Sequence, residues 1–376
     1  MHASVVPLVD HHCHGVVPHN LDRPSYEGLI NEGFDPAPAG TSHFDSPVGL
    51  AIRRWCAPVL ELPPLPSPEE YLARRAELGA DEVNRRFLRS AGLEALLVET
   101  GYKASDLLDP AAIASLAAVP AHQVVRLEAV AEAVARQGVD AAAYPDAFAR
   151  ALEEAAAEAV GLKTVVAYRG GFDFDPAPPS TGEVAAAAGR WLTQDSGAPR
   201  LEDPVLLRHG IWTGAELARD RGLPLQFHAG YGDPDLTLHL ANPSLLTGLV
   251  RALGELGVDV VFLHCYPFHR EAAYLAAVFP HAYFDVGQAL NYTGAGAGGV
   301  LAEAMELAPF TKQLYSSDAF ALAELHFLGA WLFRRGLAAV LDDWVRRDEC
   351  SAADADRVAE LLGRANARRI YPLGDG

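Results

Sequence analysis

The chain has 376 residues, of which 50% are hydrophobic and 21% are charged, a balance typical of a folded globular protein. Its formal net charge of -19 argues against nucleic acids and anionic membrane surfaces as partners, because both are polyanions. The four cysteines, which are far apart, indicate reduced thiols rather than a disulfide framework. No apolar run is long enough to span a membrane and no leader pattern opens the chain, so we expect a cytoplasmic protein.

Short runs rich in Val, Ile, Leu and Phe alternate with Ala-, Leu-, Glu- and Arg-rich segments that have helical periodicity. This alternation predicts βα units and a parallel sheet. Eight such runs favour an α/β fold of the closed (β/α)8 barrel type, with an open doubly wound sheet as the alternative. The predicted strands are 5–14, 93–102, 122–128, 163–169, 224–228, 259–265, 282–287 and 312–318.

Residues 16–90 interrupt this rhythm. They begin with Gly, Pro, Asn and Asp, continue through a proline-rich patch at 62–68, and end in a helical run at 69–90. We interpret them as a mostly helical insertion after strand one that covers the C-terminal mouth of the barrel. A separate domain is less favoured because residues 16–68 contain few apolar side chains, so residues 1–376 are predicted to form one domain.

The end of the first predicted strand carries closely spaced histidines. Because successive strand side chains alternate between faces, Asp10, His12 and His14 share one face, and His11 and Cys13 share the other. If the first face looks into the barrel, two imidazoles converge on its axis. The alternative is a polar strand end with solvated histidines.

Three later predicted strands also end on a residue that can bind a metal, namely His228, His264 and Asp318. Barrel enzymes keep their catalytic groups at these C-terminal strand ends. A single histidine there is more often structural, but several in register favour a metal centre. We therefore predict that His12, His14, His228 and Asp318 bind a divalent transition metal, with Zn²⁺ favoured and Mn²⁺ or Fe²⁺ as alternatives.

These strand-end residues resemble those of the amidohydrolase superfamily. Four longer segments resemble the amidohydrolase-related branch found fused to glutamine-synthetase-like domains in fungal developmental regulators and plant nodulin-type proteins. The resemblance runs from about residue 5 to 372 and is weakest in 16–90, and we expect this chain to stand alone. The segments are Gly-Leu-Lys-Thr-Val-Val-Ala-Tyr-Arg at 161–169, Phe-His-Ala-Gly-Tyr-Gly-Asp at 227–233, Leu-His-Cys-Tyr-Pro-Phe at 263–268 and Ser-Ser-Asp-Ala-Phe at 316–320.

The resemblance and the chemistry of metal ions together imply catalytic roles. Asp318 is expected to orient an attacking hydroxide and to pass its proton to the leaving amine. His264 is expected to stabilise the oxyanion, or else to bind a second metal. Binuclear members of the superfamily bridge two metals with a carboxylated lysine at the C-terminal end of a strand. Lys163 would begin the fourth predicted strand, more than about 15 Å from the mouth, so one metal is predicted.

Charged residues at other strand ends are candidates for substrate binding. Tyr168 and Arg169 end the fourth predicted strand, and arginine suits bidentate recognition of a carboxylate. A salt bridge on the rim is the alternative role for Arg169. Arg126 and Glu128 end strand three and are predicted to bind the charged end of an amino-acid-like substrate. Asp233, after strand five, either contacts the substrate or orders a loop.

The leading functional interpretation is hydrolysis of an amide or other C–N bond in a small molecule that carries a carboxylate. The resemblance suggests γ-glutamyl amides or glutamine-like compounds. A metal-dependent decarboxylase or other lyase is an alternative, because the same ligands support C–C cleavage. A non-catalytic metal-binding or ligand-sensing barrel is disfavoured by the intact ligand positions. The expected partner is a small-molecule substrate, and self-association into a homo-oligomer is left open.

Overall fold

The computed structural model describes residues 5–193 and 200–374. Within them, seven parallel strands form one curled sheet in the order of the sequence. Every neighbouring pair is parallel, so the C-terminal ends of all seven strands lie at one edge of the sheet. The strands are β1 (Leu8–Cys13), β2 (Leu93–Glu99), β3 (Ala121–Arg126), β4 (Ala159–Thr164), β5 (Leu225–Ala229), β6 (Val260–His264) and β7 (Ala282–Phe284).

The eighth predicted strand, at 312–318, is not a regular strand, but its backbone hydrogen-bonds to both edges of the sheet. The N–H of Leu314 donates to the carbonyl of Phe284 in β7 at 3.0 Å. On the other side, the N–H of Asp318 donates to the carbonyl of His12 in β1 at 3.1 Å. This segment therefore lies between β7 and β1 and carries Asp318 to the edge where the strands end.

The fourth strand differs from its prediction, which placed it at 163–169. It starts four residues earlier and ends five residues earlier, and a 3₁₀ turn at Val166–Tyr168 follows. The Thr164 hydroxyl and the Val165 N–H both donate to the carboxylate of Glu128, at 2.6 Å and 3.0 Å, and so turn the chain out of the sheet. The prediction was wrong because residues 165–168 are as apolar as a strand. Lys163 consequently lies at the C-terminal end of β4, not at its start.

Helices precede and follow the strands, as the βα alternation predicts. The sequence predicts mostly helical structure between β1 and β2, and this segment contains helices. Two of these helices are joined by a π-helical turn at Ile52–Cys56 and a 3₁₀ turn at Ala57–Leu60. The helices are α1 (Arg23–Leu29), α2 (Pro47–Ala51), α3 (Pro68–Leu78), α4 (Ala80–Ser90), α5 (Pro110–Ala117), α6 (Leu127–Arg136), α7 (Tyr144–Ala155), α8 (Thr181–Leu192), α9 (Pro204–Arg221), α10 (Thr247–Leu256), α11 (His269–Val278), α12 (Gly287–Thr293), α13 (Ala297–Ala304), α14 (Ala323–Arg346), α15 (Ala352–Glu360) and α16 (Asn366–Ile370).

Local sequence signals explain where several helices begin and end. Ser67 and Glu70 form a reciprocal capping box that starts α3. Gly79 separates α3 from α4 with a φ of 80°, a conformation that glycine adopts at little cost. None of the helices in residues 5–193 and 200–374 has the length and apolar character needed to cross a membrane.

One hydrophobic core joins the sheet to the helices between β1 and β2. A buried ion pair adds to this contact, because the guanidinium of Arg75 in α3 donates to the carboxylate of Glu324 in α14 at 2.8 Å. The hydroxyls of Tyr26 and Tyr71 donate to the same carboxylate oxygen at 3.5 Å and 3.3 Å. Removing one partner of such a pair would leave a buried charge, so this cluster fastens the segment to α14.

Candidate metal centre and substrate pocket

The strand-end side chains predicted as metal ligands lie together in the structure. The Nε2 atoms of His12 and His14 are 3.4 Å and 3.5 Å from Oδ1 of Asp318, and Nε2 of His264 is 3.4 Å from Oδ2. The ring of His228 packs on that of His264, with centroids 4.8 Å apart. We call these five residues the metal cluster. Its histidines are buried, and the side chain of Asp318 is 10% exposed.

Several polar atoms of the metal cluster are buried without a hydrogen-bond partner. They include Nε2 of His228, both ring nitrogens of His264 and Oδ1 of Asp318. Leaving a buried polar atom unpaired costs about 1–3 kcal/mol, and most such atoms in folded proteins have partners. Imidazole nitrogens and carboxylate oxygens are the atoms that bind Zn²⁺ and similar ions. The donor set of the cluster therefore fits a divalent transition metal.

The protonation states in the cluster also suit a cation. Burial lowers the pKa of His228 well below its usual range and lowers that of His264 to about 4. Burial and the neighbouring Lys163 lower the pKa of His12 as well. Neutral imidazoles keep a lone pair available for a metal. Burial alone would raise the pKa of Asp318, but the surrounding histidines hold it well below its usual range.

Lys163 belongs to this centre, which corrects the sequence prediction. Its Nζ is 2.9 Å from Nε2 of His12, and the side chain lines the cavity above the cluster. Burial and the nearby Arg126 lower the pKa of Lys163 to about 8. The prediction of a single metal was argued from a Lys163 far from the mouth, and that argument no longer holds because β4 ends at Thr164.

Two buried carboxylates fix the backbone that carries Asp318 and His264. Both residues have left-handed φ angles, 47° and 70°, which cost about 1–3 kcal/mol for residues other than glycine. Asp10 accepts from the N–H and the hydroxyl of Ser317, at 2.9 Å and 2.5 Å. Asp285 accepts from the N–H of His264 at 2.9 Å. These contacts hold two uncommon backbone conformations, and with them the directions of both side chains.

A second polar group lies beneath the metal cluster, and we call His11, Gln226, Asp285 and Tyr371 the supporting network. Gln226 Nε2 donates to the His11 carbonyl at 3.0 Å and to the Tyr371 hydroxyl at 2.8 Å. Its Oε1 therefore accepts from Nδ1 of His12, at 2.9 Å. His11 bridges the Tyr371 hydroxyl and Asp285, at 3.0 Å and 2.9 Å. With its proton on Nδ1, His12 has its lone pair on Nε2, the atom that lies 2.9 Å from Nζ of Lys163 and 3.4 Å from Oδ1 of Asp318.

Three residues of the metal cluster, His14, His228 and Asp318, line a cavity that opens to solvent. Of the predicted substrate-binding residues, Tyr168, Arg126, Arg169 and Asp233 line this cavity. The structure does not bring Glu128 to it. The Glu128 carboxylate is fully buried and is used instead to end β4.

One wall of the cavity is formed by arginines. Arg169 pairs with Glu132 at 3.2 Å, and Arg126 pairs with Glu99, which also approaches Nδ1 of His14 at 3.4 Å. Nε and Nη1 of Arg169 and Nε of Arg126 are nevertheless buried with no hydrogen-bond partner. We call Arg126, Arg169 and the neighbouring Arg200 the arginine wall. It offers free N–H donors to an anionic group.

Residues 9–373 match the family model described as amidohydrolase. The chain belongs to the amidohydrolase family. The resemblance predicted from the sequence is thus confirmed. Protein fluG of Emericella nidulans is 27% identical over 409 residues, an alignment that covers 98% of this amidohydrolase and 46% of fluG. The chain therefore spans about half the length of this curated relative.

Solved structures resemble this amidohydrolase over nearly its whole length. A candidate metal-dependent hydrolase from Lactobacillus casei ATCC 334 has a TM-score of 0.85 and 29% identity, covering 98% of this chain and 96% of that one. A uronate isomerase from Bacillus halodurans C-125 has a TM-score of 0.66 and 14% identity, covering 98% and 94%. At that identity the isomerase shows a common fold and not a common reaction.

Sequence reasoning missed four polar residues of this amidohydrolase site. Gln226 lies two residues before His228, and strand alternation places both side chains on one face. Gln226 could therefore have been predicted from the sequence. Tyr371 gave no such signal, since its contact with Gln226 joins residues 145 apart. Glu32 and Gln288 line the cavity. Glu32 lies in the irregular chain after α1, where no periodicity indicates the direction of a side chain.

Proposed function

We propose that this protein is a metal-dependent hydrolase that cleaves an amide or other C–N bond in a small carboxylate-bearing substrate. The observation that carries the proposal is the metal cluster, which has several buried polar atoms without a hydrogen-bond partner and of which His14, His228 and Asp318 line a cavity beside the arginine wall. Membership of the amidohydrolase family supports the reaction class. The resemblance of the sequence to proteins fused to glutamine-synthetase-like domains suggests γ-glutamyl amides or glutamine-like compounds as substrates.

In this proposal, His12, His14, His228 and Asp318 hold one Zn²⁺, with Mn²⁺ or Fe²⁺ as alternatives. A divalent ion at this position supplies a Lewis acid that lowers the pKa of water and polarises a carbonyl. The ionised carboxylate of Asp318 accepts the proton of the attacking water and returns it to the leaving nitrogen. Neutral His264 keeps one N–H, which donates to the oxygen on which negative charge develops.

Substrate orientation is assigned to the arginine wall. Nε and Nη1 of the Arg169 guanidinium lack a hydrogen-bond partner, and Arg169 lines the same cavity as Tyr168. A guanidinium with unpaired N–H groups can donate to the oxygens of a carboxylate, so Arg169 would hold the acid end of the substrate. Arg126 and Asp233 line the same cavity and are proposed to contact the remaining polar groups of the substrate.

The number of metal ions depends on the chemical state of Lys163. As a free amine beside His12, it leaves room for one ion, which is the stoichiometry that we propose. A carboxylated Lys163 would add two oxygen ligands and favour a second ion. Metal analysis with and without bicarbonate, combined with the intact mass of the protein, distinguishes the two cases. Two equivalents and a mass gain of one CO₂ would contradict the single-metal proposal.

We further propose that the segment at 312–318 completes a (β/α)8 barrel within one domain. Its hydrogen bonds to β7 and β1 support this closure. We also propose that the insertion at 16–90 covers the mouth. Glu32 and Phe34 of that segment line the cavity, as a covering segment requires.

The reaction class is tested by product analysis. Chelator-stripped protein, alone and after reloading with Zn²⁺, is incubated with a panel of γ-glutamyl amides, glutamine analogues and α-carboxylates. We expect metal-dependent release of ammonia or amine in equal amount to the acid product. Metal-dependent release of carbon dioxide without amine would contradict hydrolysis and support a decarboxylase instead.

A further inference from the structure

The cavity above the metal cluster is also lined by groups whose chemistry is opposite to that of the arginine wall, and we call Glu32 and Gln288 the second wall. Glu32, Asp233 and Gln288 all line the cavity. Asp318 lines the same cavity, and its charge and that of Asp233 both raise the pKa of the Glu32 carboxyl. Carboxylates offer only acceptors to a ligand when they are ionised. The arginine wall, by contrast, offers only donors.

Gln288 adds an unpaired acceptor to this second wall. The neighbouring Tyr292 and Gln288 side chains act to lower the pKa of the Glu32 carboxyl. Oε1 of Gln288 is buried with no hydrogen-bond partner. The Gln288 side chain is 4% exposed. An acceptor this deeply buried normally has a donor, and the neighbouring cavity is where a ligand would supply one.

We propose that Glu32 and Gln288 form a subsite for a primary ammonium group on the substrate. An ammonium carries three N–H donors and no acceptor, so it matches a carboxylate and an amide oxygen from two residues that line the same cavity. With the carboxylate of the substrate on the arginine wall, the pocket takes a zwitterion, that is, an amino acid derivative with free ammonium and carboxylate groups. This inference rests on the proposed function for the bond that is cleaved, and it names the substrate class.

The electrostatics of Glu32 fit a cationic ligand. Burial raises the pKa of the Glu32 carboxyl to about 7, against the opposing hydrogen bonds from Tyr292 and Gln288. A buried carboxylate is stabilised by an adjacent opposite charge. A bound ammonium would therefore pair with Glu32, while a neutral ligand of the same shape would leave Glu32 and Gln288 without a partner.

The test is a binding measurement that needs no turnover. Zinc-loaded protein is titrated calorimetrically at about pH 8 with two matched pairs of probes, L-glutamate against glutarate and L-aspartate against succinate, which differ only in the ammonium group. In at least one pair, we expect the amino acid to bind at least about tenfold more tightly than the plain diacid. Equal affinities in both pairs, or no binding of either amino acid up to about 10 mM, would overturn the proposal.

Two variants test whether Glu32 causes the preference for the amino acid over the diacid. Glu32→Gln should bring the two members of the responding pair to within about twofold of each other, with little change in the affinity for the diacid. Asp235→Asn is the matched control, because Asp235 lines the same cavity but is exposed and already paired with Arg200 at 2.8 Å. It should keep the preference. A preference that survives Glu32→Gln would contradict the subsite.

The outcomes separate this inference from the proposed function. A protein that prefers the amino acids through Glu32 but hydrolyses no C–N bond would refute the reaction class and keep the subsite. A protein that hydrolyses amides of plain diacids as well as those of amino acids would keep the reaction class and refute the subsite.

Discussion

The metal cluster and the supporting network are equally buried and nearly adjacent, yet their polar atoms are satisfied differently. In the supporting network, the donors of Gln226 both have acceptors, and His11 has a partner on each ring nitrogen. In the metal cluster, neither ring nitrogen of His264 has a hydrogen-bond partner. A fully paired buried network makes a core rigid, whereas unpaired buried atoms carry a cost unless a ligand pairs with them. Unpaired atoms therefore distinguish the binding site from its support better than burial does.

Among the variants that test this difference, Asp318→Asn is expected to have the largest effect. An amide can neither take nor return a proton, so kcat should fall by about 10²–10⁴-fold. The fold should be unchanged, because Asp10 holds the adjacent backbone through Ser317. Steady-state kinetics give kcat, and circular dichroism is the control for folding. Activity above about one tenth of wild type, a change of only about 1.4 kcal/mol, would contradict the role in proton transfer.

Arg169→Met tests whether the unpaired donors of the arginine wall bind substrate. The change removes the guanidinium at similar volume, and kcat/KM for carboxylate-bearing substrates should fall by about 2–4 kcal/mol, on the order of a hundredfold or more. Neutral analogues of the same amide should lose much less. Kinetics are measured for both substrates on wild type and on the variant. General damage to the site would reduce both substrates alike, so the difference between the two losses reports the carboxylate contact. Equal losses would show that Arg169 only pairs with Glu132, and the carboxylate partner would then be sought at Arg126.

Gln226→Leu tests the supporting network, because Gln226 is fully paired and is not a predicted ligand of the metal. Without the amide oxygen, nothing holds the proton of His12 on Nδ1, and metal affinity should fall by about 10–100-fold. Tyr371→Phe should have a smaller effect, because the Gln226 amide keeps its bond to the His11 carbonyl. Competition with a chromophoric chelator measures both affinities. Wild-type affinity in Gln226→Leu would mean that the network supports the fold but not the metal site.

The smallest effect expected concerns pH. Burial raises the pKa of Glu32 to about 7, Asp318 and Asp233 add to this, and Tyr292 and Gln288 oppose it. The carboxylate is therefore mostly protonated at about pH 6 and mostly ionised at about pH 8. The preference for L-glutamate over glutarate should grow by up to about tenfold over this range, since an ammonium pairs with the ionised form. Calorimetry at both pH values measures it, and a flat profile in wild type would contradict the assignment.

The metal cluster was predictable from sequence where a short apolar run ended on a histidine. His12, His14, His228 and His264 each follow this pattern, and alternation along a strand placed two of them on one face. Asp318 was also predicted from the end of an apparent strand, although its segment forms no regular strand. Local patterns thus identified residues whose position depends on a strand end.

The remaining residues depend on contacts that local patterns do not encode. Lys163 was misplaced because the strand ends at a hydrogen bond from Thr164 to Glu128, 36 residues away in sequence. The apolar run that follows gives no sign of that turn. Glu32 lies in the irregular segment after α1 and lines the same cavity as Gln288 of α12. Such pairings arise from tertiary packing and override local propensity.

The most direct test compares His11 in β1 with His14, which directly follows β1. Chelator-stripped wild type, His14→Ala and His11→Ala are titrated with Zn²⁺ against a competing chelator. His14 belongs to the metal cluster and His11 to the supporting network, so we predict a loss of affinity of about a hundredfold or more for His14→Ala and less than about tenfold for His11→Ala. Equal losses in the two variants, or no tight Zn²⁺ binding by wild type, would contradict the assignment of the metal centre.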